Sequence, residues 1–417
     1  MISTWDRTHR QPVPASDRGE SPRSHGLICW TKMPKQKAVA LLIETSNAYA
    51  RGLLGGIASY IHEHDLWSIY LVEQERGAAP PTWLNDWDGD GLIARIENEE
   101  IASSVRSLKI PVVDVSAARR IPNIPWVETN DVAIGELAYQ HFRERGFENF
   151  AFCGESRFNW SILRRQAFEA RVKEDGFQCQ SFNFNVDDRR PQSLKRERDR
   201  LAEWVLSLQH PIGVLACYDI MAQKILDVCR LHGIKVPSEL ALLGVDNDEL
   251  LCDLCTPPLS SVVPAAHQTG REAASLLDAM MRGEEVHAEP HLIEPLGVAT
   301  RQSTDVLAIK DPEIAAAVRF IRDHCCDGIN VQDVVKKVPL SRRVFESRFL
   351  ALMGRTPHQE ITRRRIERVR YLLIETDLTL VQISRRTGFQ NHEYMSVAFR
   401  RAMGHPPATY RRKFRKI

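Results

Sequence analysis

The sequence predicts a two-lobed α/β domain of doubly wound parallel sheets, followed by an all-α domain with two tandem helix-turn-helix units. Three observations predict it. Short apolar runs alternate with helical patterns from Ala38 to about Ile293. The alternation stops around Ala299 to Asp311, and everything from Pro312 onward is helical in pattern. Within that last segment one pattern occurs twice, offset by about 50 residues. A chain of 417 residues is also too long for one core, so two or three domains are expected.

Residues 1–34 are rich in Pro, Ser, Arg and His and have no periodicity, so disorder is expected there. Met33 directly precedes the first strand pattern and is an alternative start. No apolar segment follows Arg7 and Arg10 as a secretory leader requires. No run approaches the roughly 18 apolar residues of a membrane span. A cytoplasmic protein is expected. The nine cysteines are scattered, several within apolar runs such as "FAFCG" and "VLACYD". That pattern suits small buried side chains in a reducing compartment. Cys252 and Cys255 form a lone CxxC, and the adjacent Cys325 and Cys326 cannot easily offer two ligands from one helix face. No metal site is expected.

From residue 35 to 302 the strand patterns are "AVALLI", "WSIYLV", "GLIA", "PVVDVS", "WVETN", "FAFCG", "GVLACYD" and "LALLGVD". Continuous apolar runs mark strands buried on both faces, and their alternation with helices makes the sheet parallel. At least eight runs over this length suggest two lobes. In open parallel sheets a ligand sits outside the carboxyl ends of the strands. Those ends carry Glu44, Asn47, Glu73, Asn130, Asp131, Asp219, Asp246 and Asn247. Any one of them serves equally as a helix cap or turn former. As a set they point to a binding cleft.

"GLLGGI" lacks the spacing of a dinucleotide fingerprint, and no GxxxxGK[ST] occurs. Neither a Ser-His-Asp order nor HExxH is present. No cofactor and no catalytic activity are expected.

The segment after the linker at 303–311 differs in charge. Residues 311–417 hold 22 Lys+Arg against 11 Asp+Glu, a net of +11, whereas the rest of the chain carries −9. Such a basic tail suggests an anionic partner. In 312–417 the two copies align Phe349 with Phe399, Gly354 with Gly404 and Pro357 with Pro407. Each copy has a short first helix, a tight corner (Pro339-Leu340 or Gly388-Phe389) and a second helix capped by Ser341 or Asn391. The second helices bury Phe345, Phe349 and Met353, or Met395, Phe399 and Met403. Their outward N-terminal residues are Arg342, Arg343, Glu346 and Ser347, and His392, Glu393, Ser396 and Val397. Polar side chains at the start of a helix fit the major groove of double-stranded DNA. "ITRRRIERVRYLLIETD" is one long connecting helix whose Arg363 and Arg364 are expected to neutralise phosphates.

At these residues the last ~107 positions resemble the DNA-binding domain of the AraC/XylS activators, above all in "ISRRTGF", "AFRRAMG" and "TYRRKF". Ser384, Val397 and Pro406 depart from that family's usual residues. The body resembles the effector domains of the lactose/galactose repressor class, related to periplasmic sugar-binding proteins. The passage "VETNDVAIGELAYQHFRERGFENFAFCG" carries that likeness, with Thr129-Asn130-Asp131 where Thr-Asp-Asn is usual. The combination is the architecture of the xylose-operon activators.

The resemblance implies a sugar-responsive transcription regulator. It implies activation of pentose catabolism genes, D-xylose as effector, a homodimer, and contact with RNA polymerase. It places Arg164 and Asp246 at ligand-contacting positions. Sugar hydroxyls need planar polar partners, with aromatic faces against the C–H surfaces. Asn47, Glu73, Asn130, Arg164, Asp219, Asp246 and Asn247 are the polar candidates, with Tyr49 or Trp160 as the stacking face. The rival readings are a sugar-released repressor, a regulator for another carbohydrate, and a solute-binding or sugar-processing protein with an accessory DNA-binding tail.

Overall fold

The computed structural model describes residues 36–417 apart from 65–66, 75, 77, 186–190, 306–310 and 415–417. The segment expected to be disordered, 1–34, lies outside the described residues.

The first lobe starts with β1 (Ala38–Leu42), α1 (Ala48–Glu63) and β2 (Ser68–Leu71). It continues with β3 (Gly91–Ala94), α2 (Glu99–Arg106), β4 (Val112–Asp114) and β5 (Trp126–Thr129). The chain then enters the second lobe with α3 (Asp131–Arg143), β6 (Phe150–Gly154), α4 (Asn159–Glu174) and β7 (Cys179–Asn183). There follow α5 (Pro191–Ser207), β8 (Ile212–Ala216), α6 (Asp219–His232), β9 (Leu240–Val245), α7 (Glu249–Leu254) and β10 (Ser260–Val263). Helix α8 (Ala266–Met281) and β11 (Pro290–Ile293) return to the first lobe, and β12 (Gly297–Ala299) ends in the second. Each lobe has a six-stranded sheet, in the orders β11-β5-β4-β3-β1-β2 and β12-β10-β9-β8-β6-β7.

The parallel pairing holds except at β12, which runs antiparallel to β10 with Val262 opposite Val298. Burial on both faces fails at β2. All four of its residues are exposed, because β2 is an edge strand covered only in part, where the Tyr70 ring meets Trp83 and Trp87. Strands β7, β10, β11 and β12 carry no apolar run. Ser260 and Ser261 of β10 are fully buried, and their hydroxyls bond the Arg301 carbonyl and Asp219. Gly56 has a packing reason. A Cβ there would lie 1.9 Å from the His267 carbonyl oxygen, so only glycine lets α1 and α8 pack this closely.

Three segments cross between the lobes, and they bond to one another. The Asn130 N–H donates to the Ile293 carbonyl at 2.8 Å, and the Leu296 N–H donates to the Val263 carbonyl at 2.8 Å. Ser303 and Thr304, assigned to the linker from sequence, belong to the second lobe. Both are fully buried, and the Ser303 hydroxyl donates to the Leu242 carbonyl at 2.6 Å.

The helical domain comprises α9 (Pro312–His324), α10 (Val331–Val335), α11 (Arg342–Met353), α12 (Pro357–Glu375), α13 (Leu380–Arg386), α14 (His392–Met403) and α15 (Pro407–Phe414). Ser341 and Asn391 cap α11 and α14 by accepting from Val344 N–H and Tyr394 N–H. Gly354 and Gly404 end them in the left-handed conformation, φ +65° and +73°. Two separate cores result. One packs Phe345, Phe349 and Val334 against Ile314 and Val318 of α9. The other packs Ile383, Met395, Phe399 and Tyr410 against Val369 and Leu373 of α12, and Leu296 of the second lobe joins it.

Candidate functional site

Both lobes point charged strand and helix ends at one cleft. From the first lobe come Glu44 after β1, Arg76, Arg95 and Glu97 after β3, Asp114 at the end of β4, and Glu128 in β5. From the second come Asp131, Phe158, Trp160, Arg164, Tyr218 and Asp246. Arg95 is buried and sits between two carboxylates, with Nη1 2.5 Å from Glu44 and Nη2 2.5 Å from Glu97. Its guanidinium lies 5.3 Å from the Tyr49 ring. Arg164 donates from Nε to Asp131 at 2.7 Å and from Nη1 to the Cys217 carbonyl at 2.6 Å. Arg76 reaches across, 3.8 Å from Glu44 and 4.0 Å from Asp246. Its guanidinium stands 5.0 Å from the Tyr218 ring and 5.2 Å from that of Trp160, which is stacked on Phe158. A cavity of about 480 Å³ adjoins this cluster, lined in part by Tyr49, Asp246, Asn247 and Pro264.

Carboxylates outnumber cations here, and burial penalises their charge. Burial drives Asp114 up to about 7, with two backbone N–H groups opposing. Asp131 is pushed up to about 6 by burial and by Asp246, against the pull of Arg164. Asp246 is raised by burial despite Arg164 and Arg76. For Glu44 burial also acts upward, but Arg95 and Arg76 outweigh it and the net shift is downward. Six buried polar atoms of this cluster have no hydrogen-bond partner: Arg76 Nε, Arg95 Nε, Glu97 Oε2, Asp114 Oδ2, Asp131 Oδ2 and Trp160 Nε1. Native interiors rarely leave such atoms unpaired. Together they describe a surface made for a polyhydroxylated ligand with donors and acceptors on both sides and aromatic faces beside it.

The sequence candidates divide. Tyr49, Arg164 and Asp246 line the cleft. Asn47 and Asn130 sit at its margin, where each caps a helix by accepting from Ala50 N–H or Ala133 N–H. Their amides donate to Glu44 and Glu294. Two expectations need correction. Glu73 is exposed, and Arg76 is the residue of that loop that enters the cleft. Asp219 is saturated by the Ser261 hydroxyl at 2.6 Å and the Asp248 N–H at 2.8 Å, so it holds its own lobe together. Asn247 lines the adjoining cavity, where its side-chain amide oxygen accepts from Arg301 at 2.9 Å. Arg76, Arg95, Glu97, Asp114 and Glu128 were missed. The available signal was a charge within or just after an apolar strand, as in "GLIARIE" and "VVD".

In the helical domain Arg342, Arg343 and Ser347 are exposed on the first turns of α11, with Glu346 half-buried beside them. Arg342 donates to Glu346 at 2.9 Å. On α14 Glu393 is exposed, His392 and Ser396 are half-buried, and the Ser396 hydroxyl donates to the His392 carbonyl. Arg363 and Arg364 depart from expectation. Arg364 donates to Glu360 at 2.8 Å, and Arg363 to Glu360 at 2.9 Å. Arg363 also pairs at 2.8 Å with Glu144, which caps the end of α3 in the second lobe. Burial alone would raise Glu360, yet Arg363, Arg364 and Arg355 hold it down at about 2. Arg363, with Arg355, fastens the helical domain to the effector lobe through Glu144, while Arg364 is paired within α12. Helix α3 therefore begins at Asp131 in the cleft and ends at this network.

Residues 38–132 match the XylR N-terminal domain, 139–304 a periplasmic binding protein-like domain, and 334–413 a helix-turn-helix domain. The chain is 32% identical over 385 residues to the xylose operon regulatory protein of Escherichia coli strain K12, covering 90% of this chain and 97% of that one. It is 31% identical over 381 residues to the protein of that name from Haemophilus influenzae, covering 89% and 97%. A solved structure of the xylose-binding transcription activator xylR superposes with a TM-score of 0.59 at 31% identity, covering 92% of this chain and 99% of that one. Fold, cleft and tandem helix-turn-helix units define a sugar-responsive DNA-binding transcription regulator. Within that class the chain belongs to the family of xylose operon regulatory proteins. No helix among the described residues is long and apolar enough to cross a membrane.

Proposed function

We propose that this protein is a cytoplasmic activator of pentose catabolism genes that takes D-xylose as effector and works as a homodimer in contact with RNA polymerase. The observation that carries the reading is the set of six polar atoms without a hydrogen-bond partner in one buried cleft. A pentose offers a hydroxyl on nearly every carbon and a ring edge for Trp160 or Tyr49. Arg95, Arg164, Asp131 and Asp246 are its proposed charged partners, and Asp114 and Glu97 accept or share protons with the remaining hydroxyls. Hydrogen bonds to charged groups are the stronger kind, about 1.5–3 kcal/mol each. Arg342, Arg343, Glu346 and Ser347, with His392, Glu393 and Ser396, are proposed to enter successive major grooves.

Sugar binding draws the lobes together, and α3 carries the change to Arg363 and thence to the DNA-binding units. The protein binds the sugar and leaves it chemically unchanged. Calorimetric titration of the full chain with D-xylose, D-ribose and L-arabinose tests this. D-xylose should bind most tightly, one per chain, and be recovered intact. Binding of another sugar in preference would overturn the effector assignment. Loss of transcription from a reporter on adding D-xylose would overturn the sign.

A further inference from the structure

The turn after α9 holds two adjacent thiols. Cys325 Sγ and Cys326 Sγ stand 3.8 Å apart, Cys325 buried and Cys326 half-buried. This turn is a junction. The Arg365 guanidinium of α12 donates to the Cys325 carbonyl at 2.7 Å and to the Ile329 carbonyl at 2.7 Å. The corner of the second helix-turn-helix unit rests on the same backbone. A Cβ on Gly388 (φ +70°) would lie 2.8 Å from the Cys326 carbonyl oxygen and 2.9 Å from that of Cys325. The peptide between the two cysteines thus supports α12 and the second unit at once.

The other described thiols, Cys153, Cys179, Cys217, Cys229, Cys252 and Cys255, are held protonated by burial. Cys326 moves the opposite way. The Cys325 thiol and the Arg368 and Arg365 guanidinium groups lower its pKa, against burial and, more weakly, Asp327. A thiolate is the nucleophile in thiol–disulfide exchange.

We propose that Cys325 and Cys326 form an oxidative modification site for low-molecular-weight disulfides, whose closure to a vicinal disulfide weakens DNA binding. The Cys326 thiolate attacks one sulfur of RSSR. A mixed disulfide forms and RS⁻ leaves. Cys325 gives its proton to solvent, and its thiolate attacks the Cys326 sulfur. The ring closes and the second RS⁻ leaves. The protein loses two protons and two electrons, and RSSR takes them up to become two thiols. The sulfurs must then approach from 3.8 Å to about 2.05 Å. The intervening peptide turns, and the carbonyls supporting Arg365 and the Gly388 corner turn with it. The two units lose their mutual register.

The proposal rests on the DNA-binding role of the helical domain, and the test separates the two. The reduced full chain is first shown to bind promoter DNA, then incubated with oxidised glutathione at neutral pH. Peptide mass and DNA affinity are both measured. The peptide holding both cysteines should lose two hydrogens, and DNA affinity should fall about tenfold or more. Dithiothreitol should restore both, with sugar affinity unchanged throughout. Cys325→Ser should stop at a glutathione adduct on Cys326, and Cys326→Ser should leave the turn unmodified. If both thiols stay free while Cys179 is capped, or if the ring closes with no change in DNA affinity, the proposal is wrong. Failure of the reduced protein to bind DNA would sink the regulator reading instead, and the peptide mass would still decide the thiol chemistry.

Discussion

The effector cleft and the leading turns of α11 and α14 are both collections of polar side chains, yet they meet their partners in opposite ways. In the cleft, charges are buried and several polar atoms have no partner. On α11 and α14 most of the charges face solvent, and Arg342 is held only by its own helix. A buried unpaired atom costs free energy until a ligand matches it. An exposed cation costs nothing and gains by releasing counterions from DNA. The first arrangement selects by shape and hydrogen bonding, and the second by charge before sequence.

Salt should separate the two regions most sharply. Raising ionic strength from about 50 to 200 mM should lower DNA affinity by roughly a thousandfold if about six phosphates are neutralised. Sugar affinity should barely move. A parallel loss of both, measured by titration in each buffer, would show that the cleft binds an anion. The next largest effect concerns neither ligand. Glu360→Ala leaves Arg363, Arg364 and Arg355 around a missing buried carboxylate, and should cost about 3–5 kcal/mol in denaturant unfolding.

Asp114 tests the buried charge of the cleft. Its carboxyl is raised to about 7 in the fold and titrates near 3.9 when unfolded. Between those values the native state holds the extra proton. Stability therefore falls as pH rises, by about 1.4 kcal/mol per pH unit, and levels off above pH 7. Asp114→Asn keeps the oxygen that accepts from Ile96 and Ser116 N–H and removes the titration. Its stability profile should be shallower across that window. Equal slopes in mutant and parent would show that Asp114 does not carry the proton.

Two substitutions of smaller effect set cleft against groove. Asp246→Ala should weaken sugar binding by at least about tenfold and leave sugar-independent DNA affinity intact. Arg343→Ala should do the reverse, costing about 1–3 kcal/mol on the cognate site and relaxing base preference at one position. Crossed results in gel-shift and calorimetric assays would mean the two regions are not separable.

Much of this architecture was legible because it follows from periodicity. Eight apolar runs became strands, and Ser341, Asn391, Gly354 and Gly404 bound their helices as short polar caps and left-handed glycines must. The remaining strands escaped notice because their burial is satisfied by hydroxyls, as at Ser260, or because they are edges, as at β7. The cleft was legible as a place and less so as a list. Strand-end position put Asp246, and the family resemblance Arg164, among the candidates, and both line the cleft. Position alone could not tell Asp219, both of whose oxygens are bonded within its lobe, from Asp131, whose Oδ2 has no hydrogen-bond partner. Arg363 and Arg364 looked like phosphate ligands because a basic helix face says nothing of the acidic helix end packed against it.

Helix α3 is also a mechanical part. Its 13 residues make a rod of about 20 Å, pinned to Arg164 at one end and to Arg363 at the other. A tilt of about 5° at Asp131 carries Glu144 through nearly 2 Å at that length. The pair between Glu144 and Arg363 is 2.8 Å long, and that between Glu144 and Arg355 is 3.2 Å. Both arginines hold Glu144 at once, one on each carboxylate oxygen, so a stroke of that size pulls on both pairs together.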